Sequence, residues 1–211
     1  MSGLLDLLSS PMGKQLISGV AGQTGQSTDQ TGSVLSMALP VLMGAMKKNA
    51  STPEGAQGLM NALSDSKHDG GLLDNLGGLF GGGVDQSVMD DGAGILGHVL
   101  GGKQSQVENA LSSKSGMDAG TISTILKVAA PLLMGYLGKQ KRQQNVSDTN
   151  GLGSLLGGLM GGSDGGHQQQ SLIESFLDSD GDGSILDDVA SMALGGKKGG
   201  IGGLLGGLFG K

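Results

Sequence analysis

Val34-Leu-Ser-Met-Ala-Leu-Pro40-Val-Leu-Met-Gly44-Ala-Met46 is an apolar run that returns 91 residues later as Ile125-Leu-Lys-Val-Ala-Ala-Pro131-Leu-Leu-Met-Gly135-Tyr-Leu137. Leu35, Ala38, Pro40, Leu42, Met43 and Gly44 recur identically as Leu126, Ala129, Pro131, Leu133, Met134 and Gly135, and outside the runs Gly25 and Lys48 recur as Gly116 and Lys139. Leu, Ala and Met are good helix formers, and a lysine at the end of each copy suits the negative end of a helix dipole. Ser27 with Gln30 reads as a capping box, and Asp118 is the N-cap of the second copy. The pattern predicts helices over 27–48 and 118–142. Pro40 and Pro131 each remove a backbone donor in mid-helix, so both helices should kink. Two copies imply duplication of one supersecondary unit, too few for a solenoid.

Composition points the same way. Aromatic residues are 2% of the chain, namely Phe80, Tyr136, Phe176 and Phe209, so a core must come from Leu, Ile, Val, Ala and Met. Strand formers are scarce. Glycine is the anomaly: 44 residues, without a collagen triplet period, clustered at 70–83, 151–166 and 195–210. Each glycine inside a helix costs roughly 1 kcal/mol relative to alanine, so these stretches should be weak helices or linkers.

Around the two long helices, shorter ones are expected. Thr52-Pro53-Glu54 opens a helix with Thr52 as N-cap and proline at the first helical position. Asp90 to Leu100 and Lys103 to Leu111 place Ile95, Val99, Leu100, Val107 and Leu111 at helical spacing. The fold class is all-α: a bundle of short helices around two kinked, proline-containing helices, followed by a C-terminal helix–acidic loop–helix and Gly/Leu-rich segments. The expected organisation is an N-terminal repeat unit at 1–69, a Gly-rich linker at 70–89 and a second repeat unit at 90–144. A Gly/Leu-rich linker at 145–166, a helix–loop–helix at 167–194 and a Gly/Leu-rich tail at 195–211 complete it.

The segment from Asp90 to Gln144, with GILGHVLGGKQSQVENAL at 94–111 and APLLMGYLGKQ at 130–140, resembles the YidB-like bacterial family, domain of unknown function 937. Met89-Asp90-Asp91 and Asp180-Gly-Asp182-Gly183 fit that family too. The resemblance implies a helical bacterial domain. It implies no activity and assigns no catalytic residue.

The strongest chemical signal is Asp178-Ser-Asp180-Gly-Asp182-Gly183-Ser184-Ile185. Calcium takes six to eight oxygens, and carboxylates at loop positions 1, 3 and 5, glycine at 6 and a carbonyl at 7 are the opening of an EF-hand loop. Here Asp178, Asp180 and Asp182 supply the carboxylates and Ser184 the carbonyl. Position 12, which normally closes the shell with a bidentate carboxylate, is Val189; Asp188 or Asp187 would have to close it instead. One weak calcium site is the expectation. The alternative is a solvated acidic turn whose Asp187 and Asp188 favour the next helix N-terminus.

Leu152, Leu155, Leu156, Leu159 and Met160 form a helical apolar face, and Ile201, Leu204, Leu205, Leu208 and Phe209 repeat its spacing. Leu72, Leu73, Leu76, Leu79 and Phe80 come close. Glycines four apart on the other faces, such as Gly153 and Gly157, permit close backbone approach. Three readings stand for these segments: self-association helices, helices lying on a membrane surface, and flexible linkers. Lys197, Lys198 and Lys211 flank the last segment, although the strongly charged face of a membrane-surface helix is missing.

Other classes are disfavoured. A net charge of −6, no long basic stretch and few stacking aromatics argue against nucleic-acid binding. Without cysteine there are no disulfides or thiolate sites. His68, His98 and His167 stand far apart with no metal-ligand spacing, and no phosphate loop or nucleophile elbow is present. The expectation is a protein without catalytic activity. The first residues lack the basic start and apolar run of a signal peptide, and the apolar runs fall short of the ~20 residues that span a bilayer. The cytoplasm is the default location, with export by another route the alternative if the calcium loop is filled.

Overall fold

A computed structural model describes residues 4–68, 70–81 and 84–161, all of them within one unit of the chain. Regular structure among these residues is helical throughout. In order it runs α1 Leu4–Ser9, α2 Pro11–Thr24, α3 Thr28–Asn49, α4 Pro53–Ala62 and a 3-10 turn Ser66–His68. Then come α5 Gly71–Asp74, α6 Leu76–Gly81, α7 Gln86–Leu100, a second 3-10 turn Gly101–Lys103, α8 Gln104–Ser115, α9 Ala119–Gln143 and α10 Thr149–Gly161. The fold is all-α.

The caps set the boundaries. Ser27 accepts the Gln30 N–H at 3.2 Å and donates to Oε1 of the same residue at 3.0 Å. Thr52 accepts the Gly55 N–H at 3.1 Å, with Pro53 opening α4. Replacing a cap of this kind by alanine costs about 1 kcal/mol. Asp118 accepts the Thr121 N–H at 2.8 Å and so starts α9. Ahead of both proline helices the chain turns at a left-handed glycine: Gly25 (φ 68°) closes α2 and Gly116 (φ 73°) closes α8. A side chain there would strain the backbone. Pro40 and Pro131 each stand twelve residues beyond the first helical residue, and the helix runs unbroken past both.

α9 is the centre of the bundle. From Ile125 to Gly138 every residue but Lys127 is buried, and α2, α3, α5, α7, α8, α10 and the first 3-10 turn all pack on it. Each fully buried Leu or Ile there contributes roughly 2 kcal/mol of hydrophobic stabilisation. By length and composition alone α9 could cross a membrane, having a mean hydropathy of 1.3 over its most apolar window, but 72% of that window is buried inside the bundle. Its apolarity is therefore accounted for by its neighbours.

The closest packing uses glycine. A Cβ at Gly92 in α7 would overlap the Lys127 carbonyl of α9, and one at Gly138 would overlap the His68 carbonyl. Two polar ties hold the C-terminal part of α9: Lys139 Nζ to Asp74 Oδ1 at 2.9 Å and Lys141 Nζ to Ser64 Oγ at 2.7 Å.

Two stretches differ from the linker reading. Within 70–89 lie α5, α6 and the start of α7, with Leu73, Leu76 and Leu79 buried. Within 145–166 lies α10, whose Leu152, Leu155, Leu156 and Leu159 are at most 5% exposed against α3, α4 and α9. The physical reason is the leucine periodicity: tertiary burial of four leucines outweighs the helix penalty of the intervening glycines. A Cβ at Gly153, Gly157 or Gly158 would meet nothing within 4 Å. The glycine face of α10 therefore points away from the rest of the described chain.

Candidate functional site: the groove between α4 and α7

α4 and α7 flank a half-open groove of about 470 Å³. Gly55, Gly58, Leu59 and Ala62 line it from α4; Asp91, Gly94, Ile95, His98 and Val99 line it from α7. Both sets follow the three-and-four spacing of one helix face. Met46 of α3 and Met134 of α9 contribute the buried floor. Methionine thioethers are flexible and polarizable, so such a floor adapts to ligands of different shape. A pocket of this volume with an apolar lining and few polar groups has the character of a binding site.

The polar groups sit on the rim. Asp90 is exposed and accepts from Gln86 Nε2 at 2.8 Å. His98 is exposed, and its backbone carbonyl accepts from Asn49 Nδ2 at 3.0 Å, tying the end of α3 to α7. Glycine keeps the groove open: a Cβ at Gly94 would meet nothing within 4 Å, and one at Gly58 only His98 Nε2 at 3.8 Å.

Asp91 links this groove to a second cavity of about 370 Å³ lined by Ser66, Lys67, Gly71, Leu72, Ser87 and Val88. Between the two stands the contact of Asp91 Oδ2 with His68 Nε2 at 3.0 Å. His68 is 6% exposed, and its Nδ1 lies 2.9 Å from the Ala62 carbonyl. A carbonyl only accepts, so Nδ1 donates to it, and Nε2 is engaged by the Asp91 carboxylate. Neither ring nitrogen is then free to activate a nucleophile. The preceding turn presents His68: Asp65 Oδ1 accepts the Lys67 N–H at 2.9 Å, which holds the Asp65 carboxyl below the ordinary aspartate range. At the far end, burial followed by the charge of Lys103 lowers the Lys48 ammonium.

The acidic-loop residues Asp178, Asp180, Asp182, Ser184, Asp187 and Asp188 lie outside the described residues, as do His167 and the 201–209 segment. Among the described residues no group of three His, Asp or Glu side chains is placed to hold a metal. His68 and Asp91 are brought together across 23 residues, which no local spacing could show. The available signal was the Met89-Asp90-Asp91 element; its second aspartate is the partner of His68.

No curated protein and no solved structure matches the chain. A family model described as bacterial protein of unknown function (DUF937) matches residues 6–140. That span runs from α1 to nearly the end of α9, so it takes in both proline helices and both walls of the groove. The chain belongs to this bacterial family of unknown function, DUF937.

Proposed function

We propose that this chain is a non-catalytic helical binding or scaffolding protein whose α4–α7 groove is its binding surface. The observation that carries the reading is the groove itself: an adaptable floor of Met46, Leu59 and Met134 beneath an acidic rim of Asp90 and Asp91. The engagement of both His68 nitrogens supports a structural rather than a catalytic role for this buried histidine. The test is binding of an environment-sensitive apolar dye to the full chain and to Gly94→Leu. A Cβ there meets open space, so a leucine can extend into the groove. Dye binding should fall sharply in the variant; unchanged binding would place the dye site elsewhere and count against the groove.

Calcium binding at Asp178, Asp180 and Asp182, with the Ser184 carbonyl and Asp188 or Asp187, forms the second part of this reading. It rests on the residue pattern and on the need of calcium for clustered oxygens. Calorimetric titration of the wild type and Asp180→Ala tests it, and heat that is unchanged by the substitution would reduce the loop to a solvated turn. The two proline helices, with their matching caps and left-handed glycines, are read as a duplicated unit. A peripheral membrane role through the Gly/Leu-rich segments is the competing reading. It is weakened because the leucines of α6 and α10 are already spent in the bundle. Liposome co-sedimentation of the full chain distinguishes it.

A further inference from the structure

We propose that the α4–α7 groove receives the Leu/Gly-rich segment 201–209 of a second copy of this chain, with Lys197 and Lys198 of that copy beside Asp90 and Asp91. The inference rests on the groove reading and names its partner. Three observations carry it. The first is a precedent within the fold. α10 carries leucines at the same spacing as 201–209 and is seated by them against α3, α4 and α9, on the same helix α4 that walls the groove. The bundle thus already accepts one helix of this pattern.

The second observation is charge. Asp90 and Asp91 stand together at one end of the groove, and Asp90 is exposed with only a neutral glutamine on its carboxylate. The chain's last segment is preceded by Lys197 and Lys198 and contains no acid. Opposite charges across an interface fix the register of docking. The third is length. Asp90 to Val99 is ten residues of α7, about 14 Å of helix rise, while Lys198 to Leu208 as a helix would span about 15 Å. With the lysines at Asp90 and Asp91, the leucines fall along Ile95, Val99 and the methionine floor. Gly58 and Gly94 leave room for a backbone to approach.

Glycine raises the cost of holding such a segment as a helix, so association should be weak and concentration-dependent. Sedimentation velocity of the full chain over a wide concentration range reads it. The wild type should shift from monomer toward larger species. Gly94→Leu should abolish the shift, and Lys197→Glu with Lys198→Glu should weaken it roughly tenfold or more through like-charge contact. Mixing the double-lysine variant with Asp90→Lys should restore association. A chain monomeric at every concentration, or association indifferent to Gly94→Leu, overturns the proposal. If the apolar dye still distinguishes Gly94→Leu from wild type in that case, the groove survives as a binding surface with another partner. Vesicle binding lost with the lysines, in a chain that stays monomeric, would overturn it in favour of a lipid surface.

Discussion

His68 and Asp91 meet at 3.0 Å between the turn that follows α4 and the first half of α7. The contact joins the two walls of the groove, and one of its partners is 6% exposed. Removing the carboxylate strands a buried imidazole nitrogen, which costs roughly 1–3 kcal/mol. Asp91→Ala should therefore lower the unfolding free energy by that amount, read as a lower urea midpoint with an unchanged m-value. Asp91→Asn keeps a polar amide that can hydrogen-bond Nε2 and should lose less. Equal losses in the two variants would show that packing, and not the hydrogen bond, is what Asp91 supplies.

α10 is a test of burial against propensity. Leu156 is fully buried, and replacing such a leucine by alanine costs about 2–5 kcal/mol. Chemical denaturation of Leu156→Ala should show a loss in that range. A loss within the ~0.5 kcal/mol typical of surface substitutions would mean that the segment behaves as a linker in solution.

Much of this architecture was legible beforehand, for local reasons. Ser27, Thr52 and Asp118 announce helix starts because a cap is a contact within three residues. The predicted 27–48 and 118–142 appear as Thr28–Asn49 and Ala119–Gln143 behind their N-caps. The starts of α7 and α8 were less clear, since neither has a side-chain cap. Gln86 therefore opens α7 four residues before the expected Asp90. The burial of α6 and α10 was hidden by glycine, whose intrinsic penalty is local while the compensating leucine contacts are tertiary. The groove was hidden for the same reason: Gly58, Gly94, Met46 and Met134 carry no local signal in sequence and acquire meaning only when four helices bring them together.

The Asp118 cap carries a pH signature. Its hydrogen bonds from the Thr121 hydroxyl and N–H hold the carboxyl below the ordinary aspartate value of 3.8. A carboxyl that ionises more readily in the folded chain stabilises it fully above the unfolded value. That contribution is lost as the pH falls through the lowered folded value. Asp118→Asn retains a capping oxygen but does not titrate. The wild type should therefore lose melting temperature relative to Asp118→Asn on acidification below about pH 4, the ordinary aspartate range. A constant difference between the two proteins from neutral to acid pH would contradict the assignment.

The central claim is that the groove between α4 and α7 is where this protein binds its partners. Amide shift mapping by NMR during titration of the full chain with a small apolar probe tests it most directly. The account predicts perturbations that cluster at Gly58, Gly94, Ile95 and His98 and that vanish in Gly94→Leu. Perturbations confined to the face of α10, to α2 or to the chain beyond residue 161, with those groove residues unmoved, would contradict it.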